Sequence, residues 1–144
     1  MIILNIVLAT FIVLETFNLF VLYLKPSLKK ANGIGVFNAW NKSKKDPEIH
    51  NLIKYLVYWV AGTKLIIVSL LLVILIWAEP TLKIISVAVL ALTITSFYWK
   101  MFPIIKKMDN DGGIAPVGYH KTLSLIIIVI TLALSLSALF AYIS

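Results

Sequence analysis

Glu15 and Lys64 are the two side chains of this sequence best placed to do chemistry, because each is a charge inside a long apolar stretch. Glu15 is nine residues before Leu24 and Lys64 is nine residues after Tyr55, the positions where we predict two membrane spans to meet one membrane boundary. At the rise of an α-helix, both charges lie roughly 13–14 Å from that boundary. A lone charge at such a depth costs roughly 2.5–3.5 kcal/mol on insertion scales. The matching depths therefore predict that the two opposite charges pair.

Asn18 extends this polar cluster, because it follows Glu15 by three residues and shares its helix face, where it could hydrogen-bond to the same partner. Two roles for the cluster are open. In the first, which we expect, the ion pair is structural and fixes the register of two helices. In the second, Glu15 is a proton or cation site that releases Lys64 and binds it again. A further possibility is no pair at all, with Lys64 reaching toward the interface and Glu15 protonated.

Four apolar stretches must position these side chains. The chain has 144 residues and is 61% hydrophobic, whereas soluble domains are about 45–50% apolar. Each stretch has close to the ~20 residues that a membrane-spanning helix needs. We therefore predict an all-α fold, an integral membrane four-helix transmembrane bundle that uses residues 1–144 as a single domain. The predicted spans are residues 2–24, 55–78, 81–99 and 122–143.

Proline and aspartate mark where these helices begin and end. Lys25 and Pro26 end the first span, since a residue that precedes proline avoids the helical conformation. The helix of the second span is predicted to start well before Tyr55, with Asp46 as its N-cap and Pro47 in its first turn. Only a few residues join the second span to the third, which predicts an antiparallel hairpin.

Lysines are concentrated on one side of the predicted bundle. Residues 25–54 hold seven lysines and residues 100–121 hold four, whereas Lys83 is the only lysine on the opposite side. In multi-pass membrane proteins the lysine-rich loops stay in the cytoplasm. We therefore predict a protein of the cell membrane with N-out/C-out topology and both lysine-rich loops in the cytoplasm.

The long first connection mixes lysine with apolar and aromatic residues, a composition typical of segments that lie on anionic lipid headgroups. Its glycines argue against one continuous helix. The same loop could equally dock a protein partner. The residues assigned to this lipid or partner loop are Lys29, Lys30, Trp40, Lys44 and Lys45.

The remaining polar motifs do not predict a metal site. His50 and His120 each precede a span, and with no third ligand identified we expect them to be interfacial side chains. Residues 109–113 are rich in aspartate and glycine, but the ends of a calcium-binding loop placed there have the wrong residues. We expect a solvated turn. There is no cysteine, which excludes thiolate ligands, and we predict no metal and no cofactor.

Small residues recur at four-residue spacing in the fourth span, at Ala133, Ser137 and Ala141. Such a face allows membrane helices to approach closely. It could pack inside this bundle or against another chain.

Composition and motifs favour a protein that is not an enzyme. Phosphate-loop, zinc-protease and nucleophile-elbow patterns are absent from the sequence. The net charge of +7 comes from lysines that flank apolar spans, so we expect membrane lipids and no nucleic acid as partners. We predict a small accessory or scaffold subunit, held by helix packing and lipid contact, that binds another membrane protein or forms a homo-oligomer.

Two other functions are kept open. The alternative is a small proton- or cation-coupled permease that uses Glu15, Asn18 and Lys64. An enzyme that acts on lipid headgroups through His50 or His120 comes third. An internal polar cavity that reaches Glu15 from water would favour the permease, whereas a dry and closed core around the pair would favour the scaffold.

Overall fold

The fold is helical in the computed structural model, which describes residues 1–29 and 33–143. These residues form no β-strand, and one isolated antiparallel bridge joins Phe37 to Ile114. The prediction of an all-α fold is therefore confirmed. The helices are α1 (Ile2–Leu24), α2 (Asn38–Ser43), α3 (Pro47–Trp77), α4 (Pro80–Ile94), α5 (Met101–Asn110) and α6 (Tyr119–Ile143), with 3-10 turns at Ile34–Val36 and Thr95–Tyr98.

Within the described part of the chain, four helical stretches are long and apolar enough to cross a membrane, judged by length and composition. They are Ile2–Leu24, Pro47–Trp77, Pro80–Tyr98 and Tyr119–Ile143. Each contains most of one predicted span. The largest difference is in α3, whose 31 residues begin two turns before the span predicted at residue 55.

The start of α3 follows the sequence prediction. Asp46 is the N-cap, and its Oδ1 accepts hydrogen bonds from the backbone N–H groups of Glu48 and Ile49, at 3.1 and 3.2 Å. Pro47 stands in the first turn, where a missing N–H removes no helical hydrogen bond. The predicted roles of Asp46 and Pro47 are therefore confirmed.

The central helix of the bundle is α1. It packs along α3 on one side and against α6 on the other, and α6 packs along α4. Although α3 and α4 are consecutive, they touch only sparingly. An apolar core that includes Leu4, Leu8, Val87 and Leu134 joins the helices near the N-terminus. The bundle is therefore closed at this end, which we call the Lys-poor end, and it opens between α3 and α4 toward the Lys-rich end formed by residues 25–54 and 100–121.

At the Lys-rich end, the first and third connections fold against each other. The backbone N–H of Asn38 donates to the carbonyl oxygen of Gly113 at 2.9 Å. The side chain of Asn38 also donates to Gly112, which is 74 positions away in the sequence. A small core lies beside these bonds and contains Val36, Ile105 and Ile114. The loops predicted from sequence thus form a packed layer, which no local pattern predicts because its two halves are so far apart.

Lys83 does not extend into solvent at the Lys-poor end. Its side chain is buried, and Nζ donates a hydrogen bond to the carbonyl oxygen of Leu75 at 2.9 Å. Leu75 is in the last turn of α3, where carbonyl groups have no helical partner. A lysine that binds such a carbonyl also lies favourably at the negative end of the helix dipole. Lys83 therefore caps α3 at the hairpin.

Candidate functional site

The side chains of Glu15 and Lys64 meet between α1 and α3. Nζ of Lys64 donates a hydrogen bond to Oε2 of Glu15, and the two groups form an ion pair. Close to Lys64 on α3, Ala61 is fully buried in a cluster with Leu19 and Leu22 of α1. The small side chain of Ala61 lets the two helices approach closely at the level of the pair.

A crevice between the long helices leaves the ion pair partly uncovered. The side chain of Lys64 is 24% exposed and that of Glu15 is 17% exposed. Both line the crevice, which has a volume of about 460 Å³. The other described side chains that line it are apolar, except for Thr93 and Tyr119. The pair is therefore a local charge in an otherwise apolar wall.

A second crevice, of about 440 Å³, also reaches Glu15 and lies along α1 and α6. Asn18 lines this second crevice with Glu15, and so do Lys29 and Pro116 from the Lys-rich end. No hydrogen bond joins Asn18 to Glu15 or Lys64 in the described residues. Glu15 and Asn18 thus line the same crevice, and the hydrogen bond that Asn18 could make to the partner of Glu15 is not formed.

Both crevices extend from Glu15 toward the Lys-rich end, and the first also reaches Phe11 and Val68 at the edge of the closed core. An apolar crevice of this kind can hold an apolar group or side chains from another helix. It offers few polar groups to replace the water around a passing ion.

No known protein family, curated protein or solved structure matches this chain. Function is therefore inferred from the geometry of the site.

Asp109 forms a second charged site, at the start of α6. Its carboxylate is buried and accepts hydrogen bonds from the backbone N–H groups of Gly118 and His120, at 3.1 and 3.0 Å. Nδ1 of His120 lies 2.5 Å from Oδ2 of the same carboxylate. Asp109 thus caps α6 from the end of α5 and places negative charge at the positive end of the helix dipole. The sequence prediction of a solvated turn is wrong for this residue.

Hydrogen bonds hold the pKa of the Asp109 carboxyl below its ordinary value. The main cause is the bond from the backbone N–H of His120, followed by the bond from the His120 ring. A carboxyl whose pKa is lowered by folding stabilises the folded protein at pH values above its ordinary pKa. That stabilisation is lost as the pH falls through the lowered pKa, so Asp109 holds the start of α6 throughout the neutral range.

His50 also has a partner within the protein. Its Nδ1 lies 2.9 Å from Oγ of Ser43, and its ring lies 4.7 Å from the ring of Trp40. In residues 1–29 and 33–143, no three His, Cys, Asp or Glu side chains come close enough to hold a metal ion. His50 and His120 therefore each tie a helix start to a neighbouring segment.

The described residues that were assigned to a lipid or partner loop differ in their exposure. Lys29, Lys44 and Lys45 are exposed, whereas Trp40 is buried. Lys30 lies outside the described residues. Lys44 Nζ donates a hydrogen bond to Oδ1 of Asn41 at 3.1 Å, and binding of these lysines to lipid headgroups or to a partner stays a prediction.

The small-residue face of α6 is divided between the core and the surface. Ser137 is buried, Ala141 is partly buried and Ala133 is exposed. Ala138 and Leu134, which the four-residue spacing does not include, are buried with Ser137. Part of this face therefore packs inside the bundle, and Ala133 remains open to another chain or to lipid.

Proposed function

We propose that the protein is a non-enzymatic, multi-pass membrane protein that acts as an accessory or scaffold subunit. In this proposal the Glu15–Lys64 pair fixes α1 against α3, and a partner covers the crevice in which the pair is partly exposed. The observation that carries the proposal is this exposure, 24% for Lys64 and 17% for Glu15, in an apolar wall. A charge left open to hydrocarbon is costly, so a partner that covers the crevice would gain free energy by removing that cost.

The position of the crevice supports a partner helix. It lies where α3 and α4 touch only sparingly, so its mouth is flanked by two long apolar helices. A helix that docks there could place apolar side chains between α3 and α4 and shield Lys64 from lipid. The partner is another membrane protein or a second copy of the chain, and both would complete the site in the same way.

Photo-crosslinking from the mouth of the crevice tests this proposal. We expect a photoreactive amino acid at Ile67 or Thr93, both of which line the crevice, to give an adduct of discrete mass in native membranes. An adduct of twice the mass of the chain would identify a second copy. The controls are Ile66 and Leu92, which are exposed neighbours on the same helices and do not line the crevice. They should react mainly with lipid. Equal adducts from all four positions, or none from Ile67 and Thr93, would contradict a partner in the crevice.

The proposed orientation places the Lys-rich end in the cytoplasm, because eleven lysines in residues 25–54 and 100–121 lie on that side. We expect cysteine introduced at Asn41 or Asn110 to resist a membrane-impermeant thiol reagent in intact cells and to react after lysis. Cysteine at Ser144 should react without lysis. The chain has no cysteine of its own, so each variant reports one position. Labelling of Asn41→Cys in intact cells would contradict the proposed orientation and place the Lys-rich end outside the cell.

A small proton- or cation-coupled permease is the second candidate. It is favoured by the two crevices that reach Glu15 from the Lys-rich end. In such a cycle, Glu15 would release Lys64, bind the cation or proton and become accessible from the Lys-poor end. The core around Leu8 and Leu134 would have to part for that step. We favour the scaffold because the crevice walls are largely apolar.

A further inference from the structure

A polar crevice lies at the Lys-rich end, where α5 meets the start of α6. Its volume is about 570 Å³. It is separate from the ion-pair site, because neither Glu15 nor Lys64 lines it. The polar side chains that line it come from both helices and are Lys106, Asp109, Asn110, His120 and Lys121.

One ring nitrogen of His120 is available to a ligand in this crevice. The Asp109 carboxyl has a lowered pKa and is ionised at neutral pH, so it can only accept, and Nδ1 of His120 donates to it. The other nitrogen, Nε2, forms no hydrogen bond with the described residues and retains accessible surface. The His120 side chain is 11% exposed. His120 therefore has a fixed orientation and one unused polar atom.

The charges around this nitrogen favour an anion. Lys106 and Lys121 are both exposed and bring two positive charges to the crevice. Asp109 is the only acidic side chain among the described residues that line it. Its carboxylate already accepts hydrogen bonds from the N–H groups of Gly118 and His120 and from the His120 ring. The positive charge of the lysines is therefore left for a ligand.

The chemistry of His120 narrows the kind of anion. With Nδ1 bonded to Asp109, Nε2 is an acceptor when the ring is neutral and a donor when it is protonated. A phosphate monoester fits both forms, because its oxygens accept and its P–OH group donates. Its charge of about −1.5 to −2 at pH 7 also matches two lysines. A carboxylate has no proton to donate to the neutral ring.

We propose that this crevice binds a phosphate monoester, with Lys106 and Lys121 neutralising its charge and Nε2 of His120 hydrogen-bonding to one of its oxygens. The phosphate can belong to a membrane lipid with a terminal phosphate or to a soluble molecule. Val117 lines the crevice and is 88% exposed, which offers an apolar contact to a lipid chain. The proposal does not depend on the function proposed for Glu15 and Lys64.

NMR of the two histidine rings tests the proposal. His50 and His120 are the only histidines in the chain, and Nδ1 of His50 is already bonded to Ser43. The full chain, labelled with ¹⁵N-histidine and purified in detergent at pH 7, is titrated with inorganic phosphate and with a short-chain phosphatidic acid. We expect both to shift the His120 ring signals saturably and to leave those of His50 unchanged. Tighter binding of phosphatidic acid would identify a lipid as the source, and equal binding would identify a soluble ligand.

Lysine variants and a second lipid test the specificity of the crevice. Lys106→Gln and Lys121→Gln should each weaken binding about tenfold, the loss expected for one hydrogen bond to a charged group. Lys107→Gln removes the same charge at an exposed position of α5 outside the crevice and should leave binding unchanged. Circular dichroism checks that each variant remains helical.

Three results would overturn the proposal. The first is a His120 signal that neither phosphate probe shifts. The second is a loss of binding in Lys107→Gln equal to that in Lys106→Gln and Lys121→Gln, or no loss in any of the three. The third is equally tight binding of a short-chain phosphatidylglycerol, a phosphodiester without a P–OH group at pH 7, which would show only general attraction to negative lipid.

Discussion

Glu15→Gln and Lys64→Met are each expected to destabilise the protein by up to about 3–5 kcal/mol, the upper range for leaving a partly buried charge without its partner. In the structure, Lys64 Nζ donates to Glu15 Oε2 and each side chain is less than a quarter exposed. Neutralisation of the remaining group would reduce the loss. The free energy of unfolding, measured in detergent by titration with a denaturing detergent, gives both values.

The double variant separates pairing from two independent effects. Because neither charge remains, Glu15→Gln together with Lys64→Met should recover much of the stability that each single variant loses. Asn18→Ala is the matched control on α1, since Asn18 lies near Glu15 without a hydrogen bond to either member of the pair. It should change stability little. Additive losses in the double variant would show that the two charges do not stabilise each other.

Gly35→Ala is expected to destabilise the Lys-rich end by about 1–3 kcal/mol, the usual cost of overfilling a packed site. A Cβ at Gly35 would overlap the backbone oxygen of Ser27 and would lie 2.8 Å from that of Leu28. The N–H of Gly35 donates to Pro26 and Leu28, at 3.2 and 3.1 Å. Both bonds depend on this close approach. The segment after α1 should therefore detach from the 3-10 turn and become sensitive to a lysine-specific protease at Lys29.

Gly62→Ala provides the matched control within a helix. A Cβ there would lie 3.5 Å from the Tyr23 hydroxyl, an ordinary contact. Replacing glycine by alanine inside a helix raises stability by roughly 0.5–1 kcal/mol. We therefore expect Gly62→Ala to be neutral or stabilising. Equal behaviour of the two glycine variants in thermal unfolding and proteolysis would contradict the packing described around Gly35.

The parts of the fold that the sequence predicts are those with a local signal. Long apolar stretches predict the four long helices, and the Asp46–Pro47 pair predicts the start of α3 through capping chemistry that involves only neighbouring residues. The shared depth of Glu15 and Lys64 led to the hypothesis that they meet. It needed no tertiary information, because a rise of 1.5 Å per residue converts position into depth.

The parts that sequence reasoning missed depend on contacts between one helix and the next. The sequence around Asp109 predicts a polar turn. It does not predict the hydrogen bonds that the backbone N–H groups of Gly118 and His120 donate to the Asp109 carboxylate. The sequence places Lys83 near the start of the third span, but it does not predict the hydrogen bond that Lys83 donates to the Leu75 carbonyl oxygen. The spacing of Asn18 predicts its helix face but not its partner, because the direction of a polar side chain depends on neighbouring helices.

The central claim is that the Glu15–Lys64 pair is a structural contact rather than a coupling site. The most direct measurement is flux of protons, sodium and potassium into liposomes that contain the purified protein, with Glu15→Gln beside it. A structural pair stays formed while the protein works, so the two proteins should show the same flux as empty liposomes. A coupling carboxylate must instead gain and lose its charge in each cycle. Saturable flux that Glu15→Gln abolishes would contradict the claim and establish the permease.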